Sequence, residues 1–211
     1  MLFLKTITKE MEYVAEKLSV VLDDSYYLAG GTALALHIGH RESIDLDYFT
    51  KESIDTLSLK KKLFEVFSEE EVRITFEEKD TLWTNIKGVK VSFITRADSL
   101  LQDFVCEGVF TLASLQDLVV MKLIAVCGRE EYKDYFDLAH LAKHTDVREW
   151  GMWWQSVYSN QESTSWLIAL SAVDTIPVVA LKVFGENRSI SQDIKNIVKE
   201  STLYVEGISS E

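Results

Sequence analysis

Two short stretches constrain this chain most: Tyr27-Leu28-Ala29-Gly30-Gly31-Thr32-Ala33-Leu34-Ala35-Leu36 and, soon after, Arg41-Glu42-Ser43-Ile44-Asp45-Leu46-Asp47-Tyr48-Phe49. A strand over 26–29 that enters a Gly-Gly turn, with Thr32 opening a short helix to about residue 40, gathers backbone N–H groups and the positive helix end at one spot. That spot suits an anion. On the next strand, 43–49, Asp45 and Asp47 are two residues apart and share a face with Ser43, while Ile44, Leu46 and Tyr48 take the other. Two such carboxylates can clamp or bridge divalent metal ions. Each half alone is commonplace, since an isolated Asp-x-Asp is more often a solvated strand edge and Gly-Gly-Thr is often only a turn with a helix cap. One helix plus a turn separates them, which brings both to the same edge of adjacent strands, where ligands of α/β sheets tend to bind. Together they read as a site for nucleotide phosphates and metal.

With 211 residues, 47% of them hydrophobic, the chain can form one large domain or two modest ones with proper cores. No apolar run is long enough to span a bilayer, and the start Met1-Leu2-Phe3-Leu4-Lys5 lacks a signal-peptide core, so a cytoplasmic protein without a membrane partner is expected. Cys106 and Cys127 have no ligand cluster near them in sequence and read as buried free thiols. The formal net charge of −12 disfavours broad adhesion to nucleic acid or anionic membrane and leaves a local basic cleft open.

Apolar Ile7, Met11, Val14, Ala15 and Leu18 recur at helical spacing over 6–21, and a second amphipathic helix fits 53–67 with Lys60, Lys61 and Lys62 as a solvated face. Residues 72–76, 81–84 and 89–95 read as strands, with Lys87-Gly88 as a hairpin turn. From Ser114, a natural N-cap with Asp117 in the capping-box position, helical signals dominate: 118–126, then 147–158 and 191–200, with breaks at Pro177 and Gly185-Glu186-Asn187.

The segment from Lys122 to Leu138 carries the second polar constellation. Lys122 is a charge beside the apolar stripe of Leu118, Met121, Ile124 and Ala125, and could reach a phosphate. Arg129 and Lys133 add positive charge, and Asp134 and Asp137, three apart, share a helix face. Taken alone, this set reads first as surface ion pairs. His37 and His40, also three apart, lack a third metal ligand and suit capping or surface positions, and Trp150, Trp153 and Trp154 suit a core better than base stacking.

Leu28-Ala29-Gly30-Gly31-Thr32-Ala33-Leu34, Gly39-His40-Arg41-x-Ser43-x-Asp45-x-Asp47-x-Phe49 and Lys122-x6-Arg129-x3-Lys133-Asp134-x2-Asp137-Leu138 together resemble, in order, the motifs of the AbiEii/AbiGii-type nucleotidyltransferase toxin family, a branch of the polymerase-β-like superfamily. The resemblance implies an α+β fold: a nucleotidyltransferase domain with a small mixed sheet over 1–105, then a helical C-terminal domain over 106–211, with an NTP and Mg²⁺ (or Mn²⁺) in the cleft between them. It implies that Asp45 and Asp47 hold the metal, that Gly31 and Thr32 contact the triphosphate, and that Lys122 binds phosphate. Gly30, Ser43, Arg129, Lys133 and Asp134 belong to the implied nucleotide-binding set. Asp137 would orient or deprotonate the acceptor hydroxyl, with Asp134 as its substitute. The implied reaction is transfer of NMP to an acceptor such as tRNA by a toxin whose antitoxin is encoded nearby. One departure stands out, since many superfamily members carry a third carboxylate on a later strand and the matching strand here reads Lys90-Val91-Ser92-Phe93. Either two carboxylates suffice, or Glu77, Glu78 or Asp137 completes the set, or catalysis is impaired. A nucleotide-binding module without transferase activity and a metal-dependent phosphohydrolase are the competing readings.

Overall fold

The computed structural model describes residues 1–162, 164–184 and 189–208, with side chains as far as residue 202, so the turn expected at Gly185-Glu186-Asn187 lies outside the described residues. Two compact units result: residues 1–98 with 103–113, and residues 99–102 with 114 onward.

The first unit is a mixed sheet with strand order β3-β4-β5-β2-β1-β7-β6. Its elements, in chain order, are α1 (Lys9–Val21), β1 (Tyr27–Ala29), α2 (Gly30–Ile38), β2 (Asp45–Thr50), α3 (Thr56–Val66), β3 (Val72–Glu78), β4 (Thr81–Ile86), β5 (Val89–Thr95), β6 (Val105–Glu107) and β7 (Phe110–Leu112). Helix α1 forms as its periodicity demands: Thr8 caps it by accepting from the Met11 amide at 3.2 Å, and Met11, Val14, Ala15 and Leu18 are buried. Full burial of one such leucine contributes about 1.5–3 kcal/mol. Positive φ at both Lys87 and Gly88 makes the tight turn that joins β4 to β5. The first unit ends at Ala113 and not at residue 105, because β7 pairs parallel with β1, Leu28 opposite Leu112, and β6 pairs with β7. Three-residue strands leave too little alternation to be read from sequence.

Strand β2 lies between β1, antiparallel, and β5, parallel. Leu46, Tyr48 and Thr50 are buried on one face, where Tyr48 stacks on Phe93 at 5.8 Å between ring centroids, and Asp45, Asp47 and Phe49 alternate onto the other. Residues opposite one another share a face, so two rows cross the sheet on the aspartate side. One runs Asp45, Lys90, Asn85, Arg73; the other runs Ala29, Asp47, Ser92, Trp83, Phe76.

The second unit is helical among the described residues: α4 (Leu115–Gly128), α5 (Tyr132–Leu141), α6 (Trp150–Val157), α7 (Thr164–Ser171) and α8 (Ser191–Ile208). Ser114 caps α4 as expected, its side chain accepting from the Asp117 amide, and Asp117 in turn accepts from the Leu101 amide at 2.7 Å. Trp150, Trp154 and Trp166 are fully buried, which assigns the tryptophan segment to the core. Helix α7 was not legible because Thr164–Ser171 is apolar on nearly every side and shows no stripe. Both cysteines are exposed rather than buried: Cys106 lies on the edge strand β6, and Cys127 lies in the last turn of α4 beyond its buried face. No helix among the described residues is long and apolar enough to cross a membrane.

Candidate active site

The glycine turn is tighter than its sequence suggests. Helix α2 begins at Gly30, not at Thr32, and its N-cap residue Ala29 makes no side-chain cap. The N-termini of α1, α3 and α4 are capped by Thr8, Asp55 and Ser114, so α2 presents its first-turn amides uncovered by any side chain of the cap position. The two glycines serve different needs. Gly30 has φ +67°, a conformation that disfavours a Cβ, and such an atom would come within 3.0 Å of Asp47 Oδ2. At Gly31 a Cβ would meet the Arg41 guanidinium at 2.5 Å. The turn is therefore packed between a carboxylate and a guanidinium.

Thr32 does not open the helix; it ties the helix to β2. Its hydroxyl is buried, donates to the Asp45 carbonyl and is hydrogen-bonded to Ser43 Oγ at 2.7 Å. Ser43, ahead of β2 and not within it, also donates its amide to the Thr6 carbonyl at 2.9 Å. These bonds fix where β2 starts and hence where its aspartates project. His37 Nε2 is bonded to the Ala113 carbonyl at 2.9 Å, and His40 is buried, against its expected surface position.

On the aspartate face, Asp47 Oδ1 accepts from Ser92 Oγ at 2.6 Å, directly across the β2–β5 ladder. Asp47 Oδ2 faces Gly30. Asp45 Oδ1 is buried without a hydrogen-bond partner among the described residues, an arrangement that normally costs free energy. Two hard oxygen donors from successive same-face positions, one of them unsatisfied, fit a divalent cation such as Mg²⁺. Among the described residues, no three Cys, His, Asp or Glu side chains cluster as a metal site. Glu77 projects to the opposite face, opposite Leu82, and is held by Lys60 at 2.8 Å. Glu78 is on the aspartate side but three strands away, about 14 Å at the usual strand spacing. Neither completes the pair.

The centre of the Lys122 constellation is buried, and only Arg129 and Lys133 at its rim are surface ion-pair residues. Lys122 Nζ on α4 lies 2.7 Å from Asp134 Oδ1 and 2.7 Å from Asp137 Oδ2 on α5, with the lysine 4% exposed and both aspartates fully buried. Arg129 Nε donates to Asp134 Oδ2 at 2.8 Å. Burial alone would lower the Lys122 pKa, but Asp137 and Asp134 outweigh it and hold the ammonium above its ordinary value. Burial likewise opposes ionisation of Asp134, and Lys122 and Arg129 overcome it, leaving that carboxyl below the usual range. Lys122, Arg129, Asp134 and Asp137 thus form one network, and Lys133 joins it at the rim through Glu131, which lies 2.8 Å from Lys133 Nζ and 3.7 Å from Arg129 Nε. The sequence reading passed over Arg41 as a site residue; its position one helix after Gly31 was the available signal, and its guanidinium is buried against that glycine.

A mixed sheet that presents an Asp-x-Asp strand beside a glycine turn into an uncapped helix has the architecture of a nucleotidyltransferase. The fold is similar to that of JHP933 from Helicobacter pylori, with TM-score 0.53 and 17% identity over 96% of this chain and 91% of that one. It is also similar to ANT(2")-Ia, solved with adenylyl-2"-tobramycin, with TM-score 0.55 and 11% identity over 72% of this chain and 98% of that one. The family description "Nucleotidyl transferase AbiEii toxin, Type IV TA system" matches residues 17–152, and the chain belongs to that family. Its class is therefore that of nucleotidyltransferase enzymes. An uncharacterised protein of Aquifex aeolicus (strain VF5), aq_aa25, is 33% identical over 146 residues, 66% of this chain and 69% of that protein.

Proposed function

We propose that this protein transfers a nucleoside monophosphate from an NTP to a hydroxyl of RNA, with tRNA the first acceptor to test, and that it acts as the toxin of a toxin–antitoxin pair. The acceptor oxygen attacks the α-phosphorus, the bond to the β-phosphate oxygen breaks, and pyrophosphate leaves. The observation that carries this reading is the pairing of Asp45 and Asp47 with the uncapped first turn of α2. Gly30 and Gly31 offer backbone amides to the phosphates, between the Asp47 carboxylate and the Arg41 guanidinium. Asp45 and Asp47 would hold Mg²⁺ or Mn²⁺, which supplies charge neutralisation on the triphosphate. Ser92 steadies Asp47 where a third carboxylate would otherwise stand. Lys122, with one N–H beyond its two aspartates, is proposed to favour negative charge nearby, Arg129 and Lys133 to add to it, and Asp137, with Asp134 behind it, to orient the acceptor.

Ser92 also supports a second reading, a nucleotide-binding module without transfer. Incubating the protein with each α-labelled NTP, Mg²⁺ and total RNA, tRNA or protein acceptors separates the two. Label in RNA that is lost in Asp45→Ala and Asp47→Ala supports transfer; tight NTP binding with no labelled acceptor supports the module. Growth arrest on expression, relieved by co-expression of a neighbouring gene, tests the toxin assignment.

A further inference from the structure

Beyond Ser92, the row of residues that leaves the carboxylates continues across β4 and β3 with no part in holding phosphate or aspartate. Asp47 is followed by Ser92, then Trp83, then Phe76. The register shift in β3 between Ile74 and Phe76 sets Phe76, not Thr75, opposite Trp83. The two rings lie 4.8 Å apart between centroids, yet Trp83 is 46% and Phe76 41% exposed. Large aromatic rings paired in the open, on the outer side of a sheet whose other face holds the core, are a costly arrangement unless something covers them. Parallel to them runs the row Asp45, Lys90, Asn85, Arg73, which sets two exposed cations on the same face of a chain of net charge −12.

The direction of this strip relative to the carboxylates decides what it can hold. The glycine turn lies on the β1 side of Asp47, and the aromatic pair lies on the other side, beyond β5 on β4 and β3. In phosphoryl transfer the leaving pyrophosphate and the attacking oxygen stand roughly in line on opposite sides of the α-phosphorus. With the phosphates on the glycine amides, the acceptor approaches from the side of Ser92 and Trp83. Trp83 is two strand spacings from Asp47, about 10 Å, the reach of a terminal nucleotide or its neighbour.

We infer that Trp83 and Phe76 form a stacking platform for an unpaired base at the acceptor end of a single-stranded nucleic acid, with Lys90 and Arg73 on its phosphates. This rests on the transferase reading and assigns its acceptor surface. Stacking tolerates any base, and two lysine or arginine contacts give local attraction without making an acidic protein adhere to nucleic acid in general.

The test is anisotropy of a fluorescein-labelled eight-nucleotide single-stranded RNA, with Mg²⁺ and a non-hydrolysable NTP analogue, alongside calorimetric binding of the analogue alone. Trp83→Ala is expected to weaken RNA binding about tenfold or more, Trp83→Leu similarly, and Trp83→Phe much less, since stacking needs the ring and not its bulk. Arg73→Glu and Lys90→Glu should each flatten the salt dependence by about one ion per RNA bound. Analogue binding should be unchanged in all five variants. RNA affinity that is equal in wild type, Trp83→Ala and Arg73→Glu, or no RNA binding by a wild type that binds the analogue, overturns the platform while leaving nucleotide binding intact. Absence of analogue binding in the wild type counts against the transferase reading itself, and RNA binding that survives Trp83→Ala there overturns both.

Discussion

Among single residues, Gly30 and Gly31 make the sharpest predictions, because they fail for different reasons. Gly30→Ala forces a side chain into the left-handed region, costing about 1–2 kcal/mol, and presses it toward Asp47. Gly31→Ala strains no torsion but displaces the Arg41 guanidinium. Both should weaken NTP binding by calorimetry. Only Gly30→Ala should also lower the melting temperature in a way that a D-alanine placed there by semisynthesis restores. Ser92→Ala removes a hydrogen bond to a carboxylate, worth about 1.5–3 kcal/mol. It should cut the transfer rate about tenfold or more and lower the melting temperature by several degrees; an unchanged rate would mean that Asp47 needs no such support. The two aspartates were legible in sequence because strand alternation puts i and i+2 on one face. The role of Thr32 was not, because whether a threonine caps a helix or clamps a strand depends on the Ser43 and Asp45 atoms that the fold brings to it.

At the level of elements, α4 and α5 are joined by the Lys122, Asp134 and Asp137 network, and their stability should follow its charges. Removing one member of a buried ion set leaves an uncompensated charge, so Lys122→Met is expected to cost about 3–5 kcal/mol in urea unfolding of the helical unit. If Lys122 also serves the phosphates, Kd for NTP rises in the folded variant; an unchanged Kd limits it to holding α4 on α5. Asp134, lowered from 3.8, contributes stability that is present above that pH and lost as the pH falls through its folded value. Lys122, raised from 10.5, contributes stability that is present below that pH and lost as the pH climbs through its folded value. The unfolding midpoint of the helical unit should therefore fall below about pH 4 and again above about pH 9, where Cys127, raised by burial, joins Lys122, and Asp134→Asn should shrink the acid limb, of which Asp146 and Asp174, held low by Arg148 and Lys195, keep the rest. Elements with long periodic patterns, α1 and β5 above all, could be read from the chain directly. The short strands β6 and β7 and the uniformly apolar α7 could not, since pairing and burial define them and neither leaves a period.

For the whole molecule, the acidic charge and the two-unit chain frame one enzyme of the AbiEii family, with its aspartate pair in the sheet unit and its buried ion network in the helical one. Membership of the nucleotidyltransferase class was readable before any coordinates because three motifs occur in order. Which carboxylates stand beside Asp45 and Asp47 was not, since Glu77 is set apart by the face it takes and Glu78 by its strand. The most direct test of the central claim follows two labels through one reaction with Mg²⁺ and tRNA: the same NTP carrying label at the α- or at the γ-phosphate. Transfer predicts α-label in RNA and γ-label in pyrophosphate, both abolished by Asp47→Ala. Release of γ-label as orthophosphate, with α-label left in the nucleoside diphosphate and none in RNA, would contradict it.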